Sequence, residues 1–474
     1  MNTFKRKSLH AALAGLGALG ATGAAQAVNV NPDGLGQALV YPYYTTQGTN
    51  APYNSLLSVV NSTNSGKVVK VRFLEGKDSK EVLDFNLWLS PRDVWTTAII
   101  PMGAGAGIIT SDLSCTTPVI PAAGQPFSNV LLTLDAAGAT LDRTKEGYVE
   151  IIEMGNVTGG TLAAITHVQP SPPGKPPGCA GLPPSIQPTD LVAGNGGLFG
   201  GISLINPIGG GDVTEDVVAL ASFSALTLWA PAGTISPDLS NVNPKLSVVF
   251  NNTEVDTTDW SASSNTVDAV SAILMHDNIY NEFVLDPGTA SGTDWVVTFP
   301  TKHFYYNAFN NVTKLFESNF RSAGACDDIL LTQYNREEQT VVNVPGFSPP
   351  TTLNGTAICW EANVITFNNT NVLLSANNSN LSTGFQNGWV SLNFFPASIT
   401  LPVHQLIGGA TVRTSTATGL PVPGSPFASS TYNGLPVIGF AAQSFNNGTL
   451  VGPTGPVQAH YTGSFIHKYT RLIQ

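Results

Sequence analysis

Residues 53–101, YNSLLSVVNSTNSGKVVKVRFLEGKDSKEVLDFNLWLSPRDVWTTAIIP, constrain the fold of this chain more than any other stretch. Val69, Val71 and Phe73 alternate with Lys70, Arg72 and Leu74. Leu83, Phe85, Leu87 and Leu89 alternate with Asp84, Asn86, Trp88 and Ser90. That period of two belongs to strands with one buried face. Asn64-Ser65-Gly66, Gly76-Lys77-Asp78-Ser79 and Ser90-Pro91-Arg92-Asp93 supply turn chemistry between the runs. The expectation is a β-meander.

Similar runs recur along the chain. Ala38–Tyr44, with Pro42 inside it, reads as an aromatic edge strand. Further strands are expected at 129–134, 147–153, 222–229, 246–251, 295–299, 329–334, 340–344, 362–367, 389–395, 435–440 and 458–469. One segment breaks the pattern: Val267, Val270, Ile273 and Leu274 follow Thr266 at helical spacing, so one short helix is expected near 266–286. The reading is all-β, with two or three antiparallel β-sandwich domains of Ig-like or jelly-roll-like type. The 474 residues suffice for two to four domains of roughly 100–200 residues each. A first sandwich is expected over 28–168. A Pro/Gly-rich linker or strap follows over 169–195, because clustered prolines cannot join a central ladder. The β-rich remainder, 196–474, would divide into two sandwiches near 300–325.

Lys5, Arg6 and Lys7, the apolar run Ala11–Ala21 and Ala25-Gln26-Ala27 have the layout of a bacterial signal peptide, residues 1–27, cleaved before Val28. No Cys follows the cleavage site to carry a lipid. Three of the 20 Lys and Arg lie in that segment and all 31 Asp and Glu lie after it, so cleavage moves the formal charge from −11 to −14. An acidic chain without a basic cluster is a poor nucleic-acid partner. No later apolar run is long enough for a transmembrane helix. Only 11% of residues are charged, against about 25% in ordinary domains. A surface of Ser, Thr, Asn and Gly suits contacts with little desolvation cost.

Cys115, Cys179, Cys326 and Cys359 are an even set, which favours disulfides in an oxidising compartment. Of the three connectivities, Cys115 with Cys179 and Cys326 with Cys359 is favoured, because it closes the shorter loops. The first bond would hold the proline-rich segment on the first domain as a strap.

Catalytic and metal signatures are weak. The histidines at 167, 276, 303, 404, 460 and 467 form no H-x-H or H-E-x-x-H, and no Cys/His spacing suits zinc. Gly194–Gly201 lacks both a P-loop Lys and a G-x-G-x-x-G frame and reads as a flexible loop. Gly288–Gly292 is not a nucleophile elbow. Glu150 and Glu153 sit at an odd offset on one strand and cannot converge, and Asp327-Asp328 and Glu337-Glu338 read as solvated charges. No cofactor is expected; calcium has no loop motif here. Asn-x-Ser/Thr sequons at 61, 251, 311, 354 and 447 follow from an Asn-rich composition. Aromatics give the functional hint. Trp88 among Asp84, Asn86 and Ser90, with Tyr41, Tyr43 and Tyr44 on the edge strand, are the candidates for stacking on a sugar or burying in a protein contact, unless a second layer covers them.

NPDGLGQALVYPYYTT, VVNST, VKVRFLEG, VLDFNLWLSPRDVW, TDWVVTFPTK and GLPVIGF together resemble a group of proteobacterial secreted proteins that carry only the label of cell-surface protein. The resemblance spans most of the mature chain and implies surface location, with no site residues attached. The expected function is non-enzymatic: a structural, self-assembling or adhesive cell-surface protein. Its partner would be a second copy of itself, in a sheet or filament, or surface polysaccharide. A secreted carbohydrate-binding or carbohydrate-active protein is the alternative, and an outer-membrane β-barrel the second alternative.

Overall fold

The computed structural model describes residues 26–168, 174–305, 315–316, 320–340, 355–394, 404–452 and 455–474. The expected signal peptide lies outside the described residues except for its last two. Val28, the expected first residue after cleavage, is fully buried, and its N–H donates to the Leu246 carbonyl (2.8 Å).

The chain is all-β, built of stacked antiparallel sheets. Two sheets form the N-terminal sandwich. One runs, in spatial order, Asn29–Val30, Val218–Ala221, Ala38–Thr45, Glu146–Val157, Gly66–Glu75, Glu81–Leu89 and Cys115–Thr117. The other runs Asp212–Asp216, Leu198–Ile205, Asn54–Asn61, Val94–Met102, Gly105–Ile109 and Gln125–Pro126.

The expected meander is therefore divided between two layers. Gly66–Glu75 and Glu81–Leu89 pair as a hairpin in the first sheet, while Asn54–Asn61 and Val94–Met102 pair with each other in the second. The reason is burial. Stacking the two pairs face to face sets Leu57, Val59, Trp95 and Ile99 against Val69, Val71, Phe73, Phe85 and Leu87 in one core, which a flat meander could not do. The crossings are held by side chains: Asn61 Nδ2 donates to the Ser65 and Ser90 carbonyls, and Arg92 (φ +63°) donates to Ser62 O and Asn64 Oδ1. Asn61 is fully buried, so its sequon is closed in the folded chain.

Ala38–Thr45 is not an edge strand. It lies between Val218–Ala221 and Glu146–Val157, and Pro42 falls where the register slips between Gly147 and Val149. A bulge is where an internal strand tolerates a residue without N–H.

The expected boundaries also move. Leu198–Ile205, Asp212–Asp216 and Val218–Ala221 complete the N-terminal sheets, so this unit extends past residue 195 to 221. No division falls near 300–325, because Asn278–Val284 and Gly292–Thr298 pair with strands beyond it. They belong to two five-stranded sheets that face each other. The first runs Gly355–Ile358, Asp327–Asn335, Asn387–Asn393, Asn278–Val284, Lys468–Thr470. The second runs Asn378–Leu381, Ala362–Phe367, Gly292–Thr298, Ile438–Gly452, Gly455–Ile466. Ile279, Phe283, Val390 and Leu392 meet Trp295, Val297, Ile365 and Phe367 between them. The back of the second sheet, through Val296, Val364 and Phe440, joins the core that contains Tyr41 and Tyr43.

The helix is shorter than expected. Asp268–Leu274 is helical and wholly buried, Thr266 does not cap it, and Asn278–Val284 is a strand. A second helix, Gly159–Ile165, has no apolar periodicity to announce it; Asp190 Oδ2 accepts from the Thr161 N–H in its first turn. Leu131–Leu134, expected as strand, is a 3-10 turn. No sheet among the described residues closes into a barrel, and no described helix is long and apolar enough to cross a membrane.

Both favoured disulfides are present, Cys115–Cys179 and Cys326–Cys359. The first ties the segment around 179–191 across the outer face of the N-terminal sheet, where Leu182 and Leu191 pack with Trp88, Met154 and Ile165. The proline-rich segment is thus a strap and not a linker. Replacing Cys115 and Cys179 together by alanine is expected to destabilise the protein by about 2–4 kcal/mol, read as a lowered urea midpoint against the parent.

Candidate functional site

The four aromatics marked by the sequence are not a surface. Trp88, Tyr41, Tyr43 and Tyr44 are all fully buried. Trp88 donates from Nε1 to Thr117 Oγ1 (3.0 Å) and packs against Trp229 under the strap. Tyr41 donates to Ser58 O, Tyr43 to Glu146 Oε2 and Tyr44 to Thr144 O. Burial pushes all three tyrosine hydroxyls far above their ordinary range, so they act as neutral donors inside the core.

The polar residues beside Trp88 are covered as well, and that is why the alternation misled. Lys70 pairs with Asp84 (2.9 Å) and donates to Pro231 O. Arg72 reaches both Glu81 (2.8 Å) and Glu150 (2.5 Å). Asn86 donates to Ala230 O. This sheet therefore has an apolar face and an ionic face, both inside the molecule. Glu150 and Glu153 remain apart, each held by its own cation, Arg72 and Lys67. Asp327, expected at the surface, is fully buried and paired with Lys302 (2.7 Å), while Asp328, Glu337 and Glu338 are exposed.

The Gly-rich run is not a loose loop. Lys67 Nζ meets Glu153 Oε1 (2.5 Å) and the amide oxygens of Asn156 and Asn195, while the N–H of Gly196 (φ +70°) donates to Glu153 Oε2 (2.8 Å). A Cβ on Gly194 would lie 2.5 Å from the Glu153 carboxyl. The anion cradled by these glycines is the protein's own carboxylate.

An aromatic surface does exist, on a different strand. Trp389 is 39% exposed, whereas Trp88, Trp95, Trp260 and Trp295 are buried. It stands on Asn387–Asn393, in the middle of the first C-terminal sheet. Alternation there turns Val390 and Leu392 into the core and Trp389 and Ser391 outward. Register places Tyr334 opposite Trp389 on one side and Glu282 on the other, with Tyr280 opposite Ser391. Tyr334 stacks on the indole (centroids 4.3 Å apart, planes at 14°), and Tyr280 lies 6.2 Å away at 49°.

The surroundings are polar. Glu282 is exposed beside the indole, Ser391 Oγ bonds Asn278 Oδ1, and Lys468 pairs opposite Tyr280 on the short edge strand. Tyr334 covers one indole face, so the other is left to Tyr280 and to solvent. Three rings held by backbone register need no rearrangement to receive a flat apolar face, and carboxylate, hydroxyl and ammonium groups stand within the same patch.

The local sequence around Trp389, N-G-W-V-S-L-N, was the available signal. It alternates as the Trp88 segment does. Among the described residues no group of three His, Cys, Asp or Glu side chains could hold a metal ion. No protein-family model, curated protein or solved structure matches the chain.

Proposed function

We propose that this is an extracytoplasmic, adhesive cell-surface protein that engages polysaccharide through the Tyr334–Trp389–Tyr280 face. The observation that carries the reading is the exposed indole, stacked and pre-set on a polar-lined sheet face, in a chain whose other tryptophans are buried or, for Trp229 and Trp360, half-buried. A pyranose ring offers a C–H face for the indole and equatorial hydroxyls for Glu282, Ser391 and Lys468. Two disulfides suit an oxidising compartment. The resemblance to proteobacterial cell-surface proteins supports the same location. Nothing in the reading calls for catalysis.

Trp389→Ala is expected to weaken binding to surface polysaccharide at least tenfold, a loss of about 1.4 kcal/mol or more, without shifting the thermal midpoint by more than a degree or two. Affinity electrophoresis and quenching of tryptophan fluorescence by soluble glycan measure it. Unaltered affinity in the variant, or no glycan binding by the parent, would remove the proposal.

Self-association is a second reading, favoured by Gly455–Ile466. This strand ends its sheet and exposes Tyr461 and Phe465. Exposed rings on an outer strand offer contact area to another chain, although His460 and Thr462 beside them are already bonded to Gly209 and Asp212. Sedimentation velocity across a concentration series, with filaments or sheets sought by electron microscopy, distinguishes it from a monomeric adhesin.

A further inference from the structure

Where the two sandwiches meet there is a cavity of about 230 Å³, walled by Val30, Val218, Ile279, Ile438 and Ile466. Its walls come from both units, the position where ligand sites concentrate, and it is smaller than the roughly 300–1,000 Å³ of drug-sized sites. Glu215 opens into it. On Asp212–Asp216 the inward positions are Val213 and Glu215. Glu215 is 6% exposed, and no hydrogen bond or ion pair to its carboxyl is present among the described residues.

The cavity's other polar groups do not neutralise that carboxyl. Arg471 directs its two terminal nitrogens at the Met275 and Ile273 carbonyls, at the C-terminal end of the buried helix, and lies over the Tyr469 ring. His276 stacks on Tyr469, with its Nδ1 buried and without a hydrogen-bond partner among the described residues. His467 contacts Val296 O and Asn281. The charge that acts on it, Asp216, is itself negative.

We propose that this cavity is a binding site for a small apolar amine, whose ammonium pairs with the Glu215 carboxylate while its hydrocarbon fills the aliphatic walls. Once Glu215 is ionised, an alcohol would leave the charge unmet and an organic acid would oppose it. An inward-pointing charge on an outer strand can also serve to discourage edge pairing, but that role needs no cavity and predicts no saturable ligand.

The site should sense pH. Burial first, and then the Asp216 charge, push the Glu215 carboxyl up to about 8. Burial holds His467 down to about 4 and His276 well below its ordinary value, with Arg471 adding to the latter, so both imidazoles stay neutral between pH 6 and 8. Ammonium binding then displaces one proton from Glu215, and affinity should rise about tenfold per pH unit up to about 8.

The test is titration calorimetry of the full mature chain with n-hexylamine, n-hexanol and hexanoate at pH 6, 7 and 8, in two buffers of different ionisation enthalpy. Saturable one-to-one binding of hexylamine is expected, at least tenfold tighter than hexanol at pH 8, with the preference shrinking toward pH 6 and about one proton released at pH 6 and 7. Glu215→Gln should make amine and alcohol equal, and Val218→Phe, which fills the cavity, should remove both; circular dichroism checks that each variant is folded. The proposal is overturned if hexylamine fails to saturate, if hexanol or hexanoate binds as well at pH 8, or if folded Glu215→Gln or Val218→Phe keeps the parent's affinity. Should one variant not fold, the other decides.

Discussion

Glu146→Ala is expected to lower the unfolding free energy by about 4–5 kcal/mol, a value at the upper end for any single substitution. The carboxylate is buried and accepts five hydrogen bonds. Tyr43 O–H (2.7 Å), Ser375 O–H (2.6 Å) and Gln47 Nε2 (3.2 Å) donate from side chains, and Ala376 and Asn377 donate from the backbone (both 3.0 Å). Alanine would leave those donors dry and unpaired, each at about 1–3 kcal/mol before any relaxation or water entry, and would open a void as well. The donors come from the N-terminal sandwich and from 375–377, some 230 residues further on, so the loss should loosen one unit against the other. Urea unfolding followed by fluorescence and by circular dichroism tests this. A lowered midpoint is expected, and separation of the two transitions would localise the damage to the junction. Glu146→Gln keeps acceptor capacity for some of the donors and should do less than half the harm.

Lys67→Met is the second large effect, about 3–5 kcal/mol. Lys67 and Glu153 are both fully desolvated, and removing the cation leaves a buried carboxylate held only by the N–H groups of Asn195 and Gly196. The double variant Lys67→Met, Glu153→Gln should recover most of the loss, because the pair's own desolvation nearly cancels its attraction. A coupling energy of about 2–3 kcal/mol in the double-mutant cycle is expected. Simple additivity would show that the glycine cradle alone satisfies Glu153.

These two carboxylates mark the limit of what the sequence reveals. The alternation at 83–89 correctly marks Phe85, Leu87 and Leu89 as core, and the all-β class and both disulfides follow from periodicity and from loop length. The same alternation labels Lys70, Arg72 and Asn86 as solvent-facing, which they are not. A Lys in a strand looks alike whether it faces water or a carboxylate; Arg72 and Glu150 stand 78 positions apart in the chain.

Trp88 and Trp389 make the same point about the site. Each lies among polar residues on an alternating strand, yet the first is sealed under a strap by the Cys115–Cys179 bond and the second is left on the surface with Tyr334 and Tyr280. Strand period is set by neighbours one and two positions away, so the sequence determines it in the long alternating runs, though not at 131–134 or 278–284; turn residues and cysteine count are likewise local or countable. Which face of a strand is covered depends on what arrives from far along the chain. Only the tertiary structure could divide the 53–101 strands between two layers, make the proline-rich segment a cover, and leave Trp389 as the exposed indole, because burial is a property of the packed whole.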